Sequence, residues 1–99
     1  MRVVIMGCGR VGARVAAILD HNGHDVCIID TDSRAFRRLP NSFGGRTLIG
    51  TGIDEDVLRN AGIESATAFI AVTNGDNRNI MAAQVARLAF KVPEVVVRI

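Results

Sequence analysis

Arg2-Val3-Val4-Ile5-Met6-Gly7-Cys8-Gly9-Arg10-Val11-Gly12-Ala13-Arg14-Val15-Ala16-Ala17-Ile18-Leu19 decides the fold of this chain. A short apolar run predicts a strand. The run after the glycines carries apolar residues at helical spacing, with Val11, Val15, Ile18 and Leu19 on one side. Between them stands G-x-G-x-x-G in the setting where that spacing has a mechanism. Gly7 permits a tight strand-to-helix turn, Gly9 lets backbone approach a diphosphate, and Gly12 lets the helix pack close to the strand. The helix N-terminus, with its free N–H groups and dipole, then favours an anion. A second strand, Asp25–Asp30, follows and ends on an acid. Asp30 lies near the ~20-residue offset at which a carboxylate accepts hydrogen bonds from an adenosine ribose. Its charge also repels a ribose 2′-phosphate, which predicts NAD(H) over NADP(H).

Outward from that unit, strand and helix alternate. A short helix is expected over Ser33–Leu39, capped by Asp32 and ended by Pro40. A third strand is expected over Arg46–Ile49, then a helix capped by Asp54 and closed by Gly62. A fourth strand follows over Ala68–Val72, then a helix capped by Asp76 and running Asn77–Lys91, and a fifth strand over Glu94–Ile99. The strands are rich in Val and Ile without alternation, as in strands buried on both faces. Strand–helix alternation implies right-handed parallel crossovers. The expectation is an α/β, Rossmann-type, doubly wound parallel sheet in order 3-2-1-4-5, one domain over residues 1–99. The ligand crevice belongs at the carboxyl ends of strands one and four.

Composition narrows the function. Hydrophobic residues make up 48% and charged residues 22%, ordinary for a soluble globule. Apolar runs all fall short of the ~20 residues of a membrane span, and the chain opens directly on its first strand, so a cytoplasmic location is expected. Net charge is +2, and Arg34, Arg37 and Arg38 cluster. They are taken as a solvated face, not a nucleic-acid surface, because the four phenylalanines are scattered and Trp and Tyr are absent. Cys27 is a buried strand residue, and Cys8 a variable position of the glycine turn. His21 and His24 belong to a solvated turn at the far end of the sheet, so no metal is expected.

Several groups converge at the carboxyl edge. Gly50-Thr51-Gly52 follows strand three, and Val72-Thr73-Asn74-Gly75-Asp76-Asn77-Arg78-Asn79 follows strand four. Arg10 opens the first helix, where its guanidinium can fork onto phosphate oxygens. Between Ile80 and Phe90 only Gln84 and Arg87 are polar. The apolar surface of that helix exceeds what one side of a five-stranded sheet needs: either the helix is wedged deep in its own domain or, the favoured reading, it packs on a partner subunit or a further segment.

In these stretches the chain resembles the N-terminal nucleotide-binding domain of Trk-type potassium-uptake regulatory proteins, the TrkA-N, RCK or KTN domain. The resemblance rests on Val4–Gly12, Ile28-Ile29-Asp30-Thr31-Asp32, Asp56–Ile63, Ala71–Asn79 and the closing Val97-Arg98-Ile99. It implies a cytosolic, non-enzymatic regulatory module that binds NAD(H), or ATP and ADP, and controls a membrane potassium transporter or channel as a peripheral subunit. It also implies a homodimer formed through the Asn77–Lys91 side. Carried onto this sequence, the cofactor-binding set is Gly7, Cys8, Gly9, Arg10, Val11 and Gly12 in the loop, with Arg10 reaching a terminal phosphate. Asp30, Thr31 and Asp32 stand at the ribose end, and Gly50, Thr51 and Gly52 after strand three. Val72, Thr73, Asn74, Asp76 and Asn79 follow strand four, and Arg98 stands near the rim. Many family members carry Gly-Asp where this chain has Gly50-Thr51, and the family usually continues with a further helix and strand beyond the fifth. The alternative is the cofactor half of an NAD-dependent dehydrogenase. It lacks an acid or base facing the crevice, since both histidines fall at the other end.

Overall fold

The computed structural model describes residues 1–98. Five parallel strands form one sheet: β1 (Arg2–Met6), β2 (Asp25–Asp30), β3 (Arg46–Ile49), β4 (Ala68–Ala71) and β5 (Glu94–Val97), in order β3-β2-β1-β4-β5. Three α-helices connect them: α1 (Arg10–His21), α2 (Glu55–Asn60) and α3 (Asp76–Gln84). The order reverses between β1 and β4, and their carboxyl ends open a crevice there.

Side chains alternate along each strand, so a central strand feeds two cores. Val4 and Met6 join Cys27, Ile29, Phe69, Leu58 and Ile63 on one face. Val3 and Ile5 join Val26, Ile28, Ala13 and Ala16 on the other. All of these are fully or almost fully buried, and each large aliphatic contributes about 1.5–3 kcal/mol. Burial on both faces holds for β1 and nearly all of β2 only. The edge strands β3 and β5 keep an exposed face, with Ile49 and Val96 more than half exposed. The unalternating pattern expected for every strand therefore gives way at the edges of the sheet.

Other departures are local. Residues Ser33–Arg38 form a 3₁₀ helix in place of an α-helix, with Asp32 as N-cap as expected, its side chain accepting from Arg34 N–H. Asp54 caps α2 by accepting from the Asp56 and Val57 N–H groups. Asp76 does not cap α3: Gly75 holds the N-cap position, and Asp76 is the first helical residue. The long helix expected to Lys91 ends as α-helix at Gln84 and continues as a π turn over Val85–Ala89. β4 and β5 stop at Ala71 and Val97, and Ile99 lies outside the described residues. The apolar excess of this segment is real: Ile80 and Met81 on α3 and Leu88 in the π turn are exposed, Leu88 by 74%.

Candidate functional site

The crevice is a cleft with about 270 Å³ of free volume, bounded by the ends of β1, β2, β3 and β4. Its floor is the glycine turn. Gly7 leaves β1 with φ +107°, a left-handed conformation that disfavours a side chain. Its N–H donates to the Ile29 carbonyl (2.8 Å). A Cβ at Gly12 would run into the Gly7 carbonyl oxygen, so only glycine lets α1 start this close to the turn. Gly9 is different. A Cβ there would meet no atom within 4 Å, because it would project into open space. Gly9 is also the N-cap of α1 and supplies no side chain to its first turn. The leading N–H groups of that 12-residue helix therefore have no side-chain cap.

The β2 side fixes this turn with charge. Asp30 Oδ2 accepts from Cys8 N–H (2.8 Å), and Oδ1 accepts from Asp32 N–H (2.9 Å). Arg38 Nη1 donates to the Cys8 carbonyl (3.4 Å), so the Cys8 residue is held at both its N–H and its C=O. The Cys8 thiol is buried and donates to the Ala35 carbonyl (3.4 Å). Burial, then the Asp30 charge, pushes it up to about 11 against the opposing pull of Arg38. At neutral pH it is a protonated, unreactive thiol. Asp32 is held below its ordinary value by hydrogen bonds from the Arg34 side chain and backbone. Gly50 and Thr51 complete this side, Gly50 N–H donating to the Asp30 carbonyl (3.0 Å).

The β4 side is built around Asn79, which is 0% exposed. Its Oδ1 accepts from Thr73 N–H (2.9 Å) and Thr73 Oγ1 (2.6 Å). Its Nδ2 donates to the carbonyls of Thr73 (3.0 Å) and Arg98 (3.1 Å). Gly75 N–H donates to Thr73 Oγ1 (3.1 Å). This knot fixes the loop from Val72 to the first turn of α3, and Val72, Thr73, Asn74 and Arg78 face the cleft from it.

Of the residues expected in the site, Gly7, Cys8, Gly9, Asp30, Thr31, Asp32, Gly50, Thr51, Val72, Thr73 and Asn74 line the cleft. Arg10, Val11, Gly12, Gly52, Asp76, Asn79 and Arg98 do not. Arg10 and Val11 are exposed at the start of α1, and Gly52 packs on the Met6 side chain. Asn79 is a correction in kind, since all its polar atoms are engaged inside the protein. Arg98 contributes backbone: its N–H donates to Ala71 and its carbonyl accepts from Asn79. The cleft adds Arg38 and Arg78 to the expected set. Arg38 belonged to the cluster taken as a solvated face. It falls one helical turn past Ala35, which is buried against the glycine turn, and that spacing was the available signal. His24 instead meets the chain N-terminus (3.3 Å), before the amino end of β2. Among the described residues, no group of His, Cys, Asp or Glu is placed to hold a metal ion, and no helix is long and apolar enough to cross a membrane.

Known proteins carry the same pattern. The family model of the TrkA-N domain matches residues 3–99. A Trk system potassium uptake protein TrkA of Streptomyces coelicolor is 58% identical over 99 residues, covering 100% of this chain and 44% of that protein. A protein of the same name from Halomonas elongata is 39% identical over 99 residues, covering 100% of this chain and 22% of its own length. This chain therefore spans less than half of either relative. Among solved structures, the TrkA-N domain of the inner membrane protein ybaL from Escherichia coli superposes with a TM-score of 0.79 at 23% identity, over 95% of this chain and 69% of that one. Its sheet, its glycine turn and the family match agree: the chain belongs to the TrkA-N domain family.

Proposed function

We propose that the cleft binds an adenine nucleotide, NAD(H) foremost and ATP or ADP next, and that the domain is the nucleotide-sensing part of a potassium uptake system. One observation carries this reading. Gly9, the open-faced N-cap from which α1 starts without a side-chain cap, lines the same cleft as Asp30, at the point where strand order reverses. Helix N–H groups and dipole favour a diphosphate there. Each Asp30 oxygen accepts one backbone N–H and keeps a second lone pair for a ribose hydroxyl. The names of the relatives support the potassium-uptake part, with a membrane transporter or channel subunit as partner and the domain at the cytoplasmic face of the membrane. Regulation follows if nucleotides differ in how they hold the two sides of the cleft, since a ligand shifts an equilibrium only through differential affinity. We place a homodimer contact on the side of α3 and the π turn that follows it, where Ile80, Met81 and Leu88 are each exposed.

A thermal-shift series with NAD, NADH, NADP, ATP and ADP tests the reading. A ligand at about 100 times its Kd adds about 2.7 kcal/mol. For a domain of this size that is a rise of roughly 10–20 °C. NAD or NADH is expected to raise the melting temperature more than NADP. No rise with any of the five would reject the reading.

A further inference from the structure

We propose that the α1 side of the sheet is a membrane-contact surface, which docks on anionic phospholipid headgroups through arginines of α1 and of the 3₁₀ turn Ser33–Arg38. This goes beyond the nucleotide reading and does not depend on it. α1 and the 3₁₀ turn touch each other and pack on the same face of the sheet, through Ala13, Ala16 and Ala35. Charge is divided unevenly between that side and the rest of the molecule. Arg10, Arg14, Arg34, Arg37 and Arg38 are all exposed there. Against them α1 and the 3₁₀ turn with its cap carry only Asp20 and Asp32, and both are engaged: Asp20 accepts from Gly44 N–H (2.9 Å), and Asp32 pairs with Arg34 (3.1 Å). Five arginines against two aspartates leave a surplus of three positive charges in a chain whose net charge is +2, so the remaining side chains are together net negative. Among the described residues Arg10, Arg14 and Arg37 make neither an ion pair nor a side-chain hydrogen bond.

Shape and polarity decide which anionic partner fits. α1 buries its small residues, so its outer face is a convex ridge. Val11 and Ile18, 45% and 52% exposed, lie two turns apart on that ridge, with Arg14 between them along the axis. On the 3₁₀ turn, Arg34, Ala35, Arg37 and Arg38 with Asp32 line a shallow hollow with about 470 Å³ of free volume, room for a phosphate group. A lipid surface is flat and dense in phosphate, and it accepts shallow insertion of aliphatic side chains. Guanidinium groups fork onto its phosphate oxygens, while the two aliphatics between them enter the boundary below the headgroups. An acidic protein segment supplies charge as well, but a convex ridge gives it no groove in which to lie.

The test is co-sedimentation of the purified protein with vesicles of phosphatidylcholine, alone or with about 30% phosphatidylglycerol. Binding is expected only with the anionic lipid, and raising salt from about 0.1 M to about 0.5 M should release the protein. Arg14→Gln with Arg37→Gln should weaken binding about 25-fold, roughly five-fold for each charge removed. Ile18→Gln should cost about five-fold by preventing insertion. Arg87→Gln with Lys91→Gln lowers the net charge equally but away from this face, and should leave binding within about two-fold. Melting temperature and sedimentation of each variant check its fold and oligomeric state. Failure to bind anionic vesicles, equal binding to neutral ones, or equal weakening by the two double variants would overturn the proposal. So would capture by polyglutamate without binding to vesicles, which would assign the face to an acidic protein. Each of these outcomes leaves the nucleotide reading standing, because neither Arg14 nor Arg37 lines the cleft.

Discussion

On the β2 side of the cleft, ionised groups hold the backbone: Asp30 grips the Cys8 and Asp32 N–H groups, and Arg38 the Cys8 carbonyl. On the β4 side a neutral amide does the same task, Asn79 closing four hydrogen bonds with Thr73 and Arg98 while wholly shielded from water. The charged arrangement is partly solvated, and ligand hydroxyls can join it. The neutral one is saturated and closed to ligand. It leaves the one cleft-facing cation on that side, Arg78, without an internal partner. On the nucleotide reading proposed above, the β2 side combines anchoring with recognition in one carboxylate, whereas the β4 side anchors through an amide whose polar atoms are all engaged within the protein.

The neutral knot should break hardest. Asn79→Ala removes the amide partner of the Thr73 N–H and of the half-buried Thr73 and exposed Arg98 carbonyls and empties a fully buried site, and we expect a loss of about 3 kcal/mol. That is a fall of more than roughly 10 °C in melting temperature, read by calorimetry. A loss under ~1 kcal/mol would mean that water replaces the amide and that the loop is not fixed by it. Gly9→Val is expected to do the reverse, leaving the fold intact because its side chain meets no protein atom. It should cut nucleotide affinity by about 100-fold or more, since the side chain occupies the space a diphosphate needs. Unchanged affinity would reject the assignment of the floor. Asp30→Ala lies between, because one group serves both purposes. We expect about 1–2 kcal/mol off stability, weaker NAD binding, and a smaller preference for NAD over NADP. Equal NAD affinity in variant and parent would argue that Asp30 only holds the turn.

These contrasts also show what a sequence exposes. The glycine turn, Asp30 and the strand order were legible because each depends on local spacing: a positive φ at Gly7, a close approach at Gly12, and an acid at a strand end. Asn79 and Arg78 are neighbours in one polar stretch, and nothing in that stretch says which turns inward. The answer depends on where β5 runs, since the Arg98 carbonyl that completes the Asn79 shell comes from the far end of the chain. Arg38 was hidden for a similar reason. A cluster of arginines suggests solvent until the 3₁₀ turn over Ser33–Arg38 folds back on the Cys8 carbonyl. The π turn over Val85–Ala89 has no cue in a helix that is apolar nearly all round.

The exposed apolar surface of α3 and its π turn lies beyond both sides and should be energetically quiet in the monomer. Leu88 is mostly exposed, so Leu88→Glu is expected to change monomer stability by no more than about 0.5 kcal/mol. It should lower the oligomeric state seen by analytical ultracentrifugation if α3 is the contact. An unchanged sedimentation profile in a parent that self-associates would move the contact elsewhere.

The smallest effect at neutral pH concerns the thiol beneath the β2 side. Cys8 is raised from 9.0 to about 11, chiefly by burial and next by Asp30. A raised value means that the folded protein holds this proton more tightly than the unfolded chain does. The resulting stability is complete below about pH 9 and declines as pH climbs through the interval up to about 11. Cys27 is also raised by burial and bends the curve the same way, so the parent alone cannot separate the two. Cys8→Ser does so. A hydroxyl keeps a donor for the Ala35 carbonyl but does not titrate in this range, and Cys27 is common to both proteins. The difference in unfolding free energy between parent and variant should therefore be flat through neutral pH. Above about pH 9 it should shift against the parent. A flat difference throughout would mean that the thiolate is tolerated, and hence that the turn beside Asp30 opens to water more easily than its hydrogen bonds to Asp30 and Arg38 suggest.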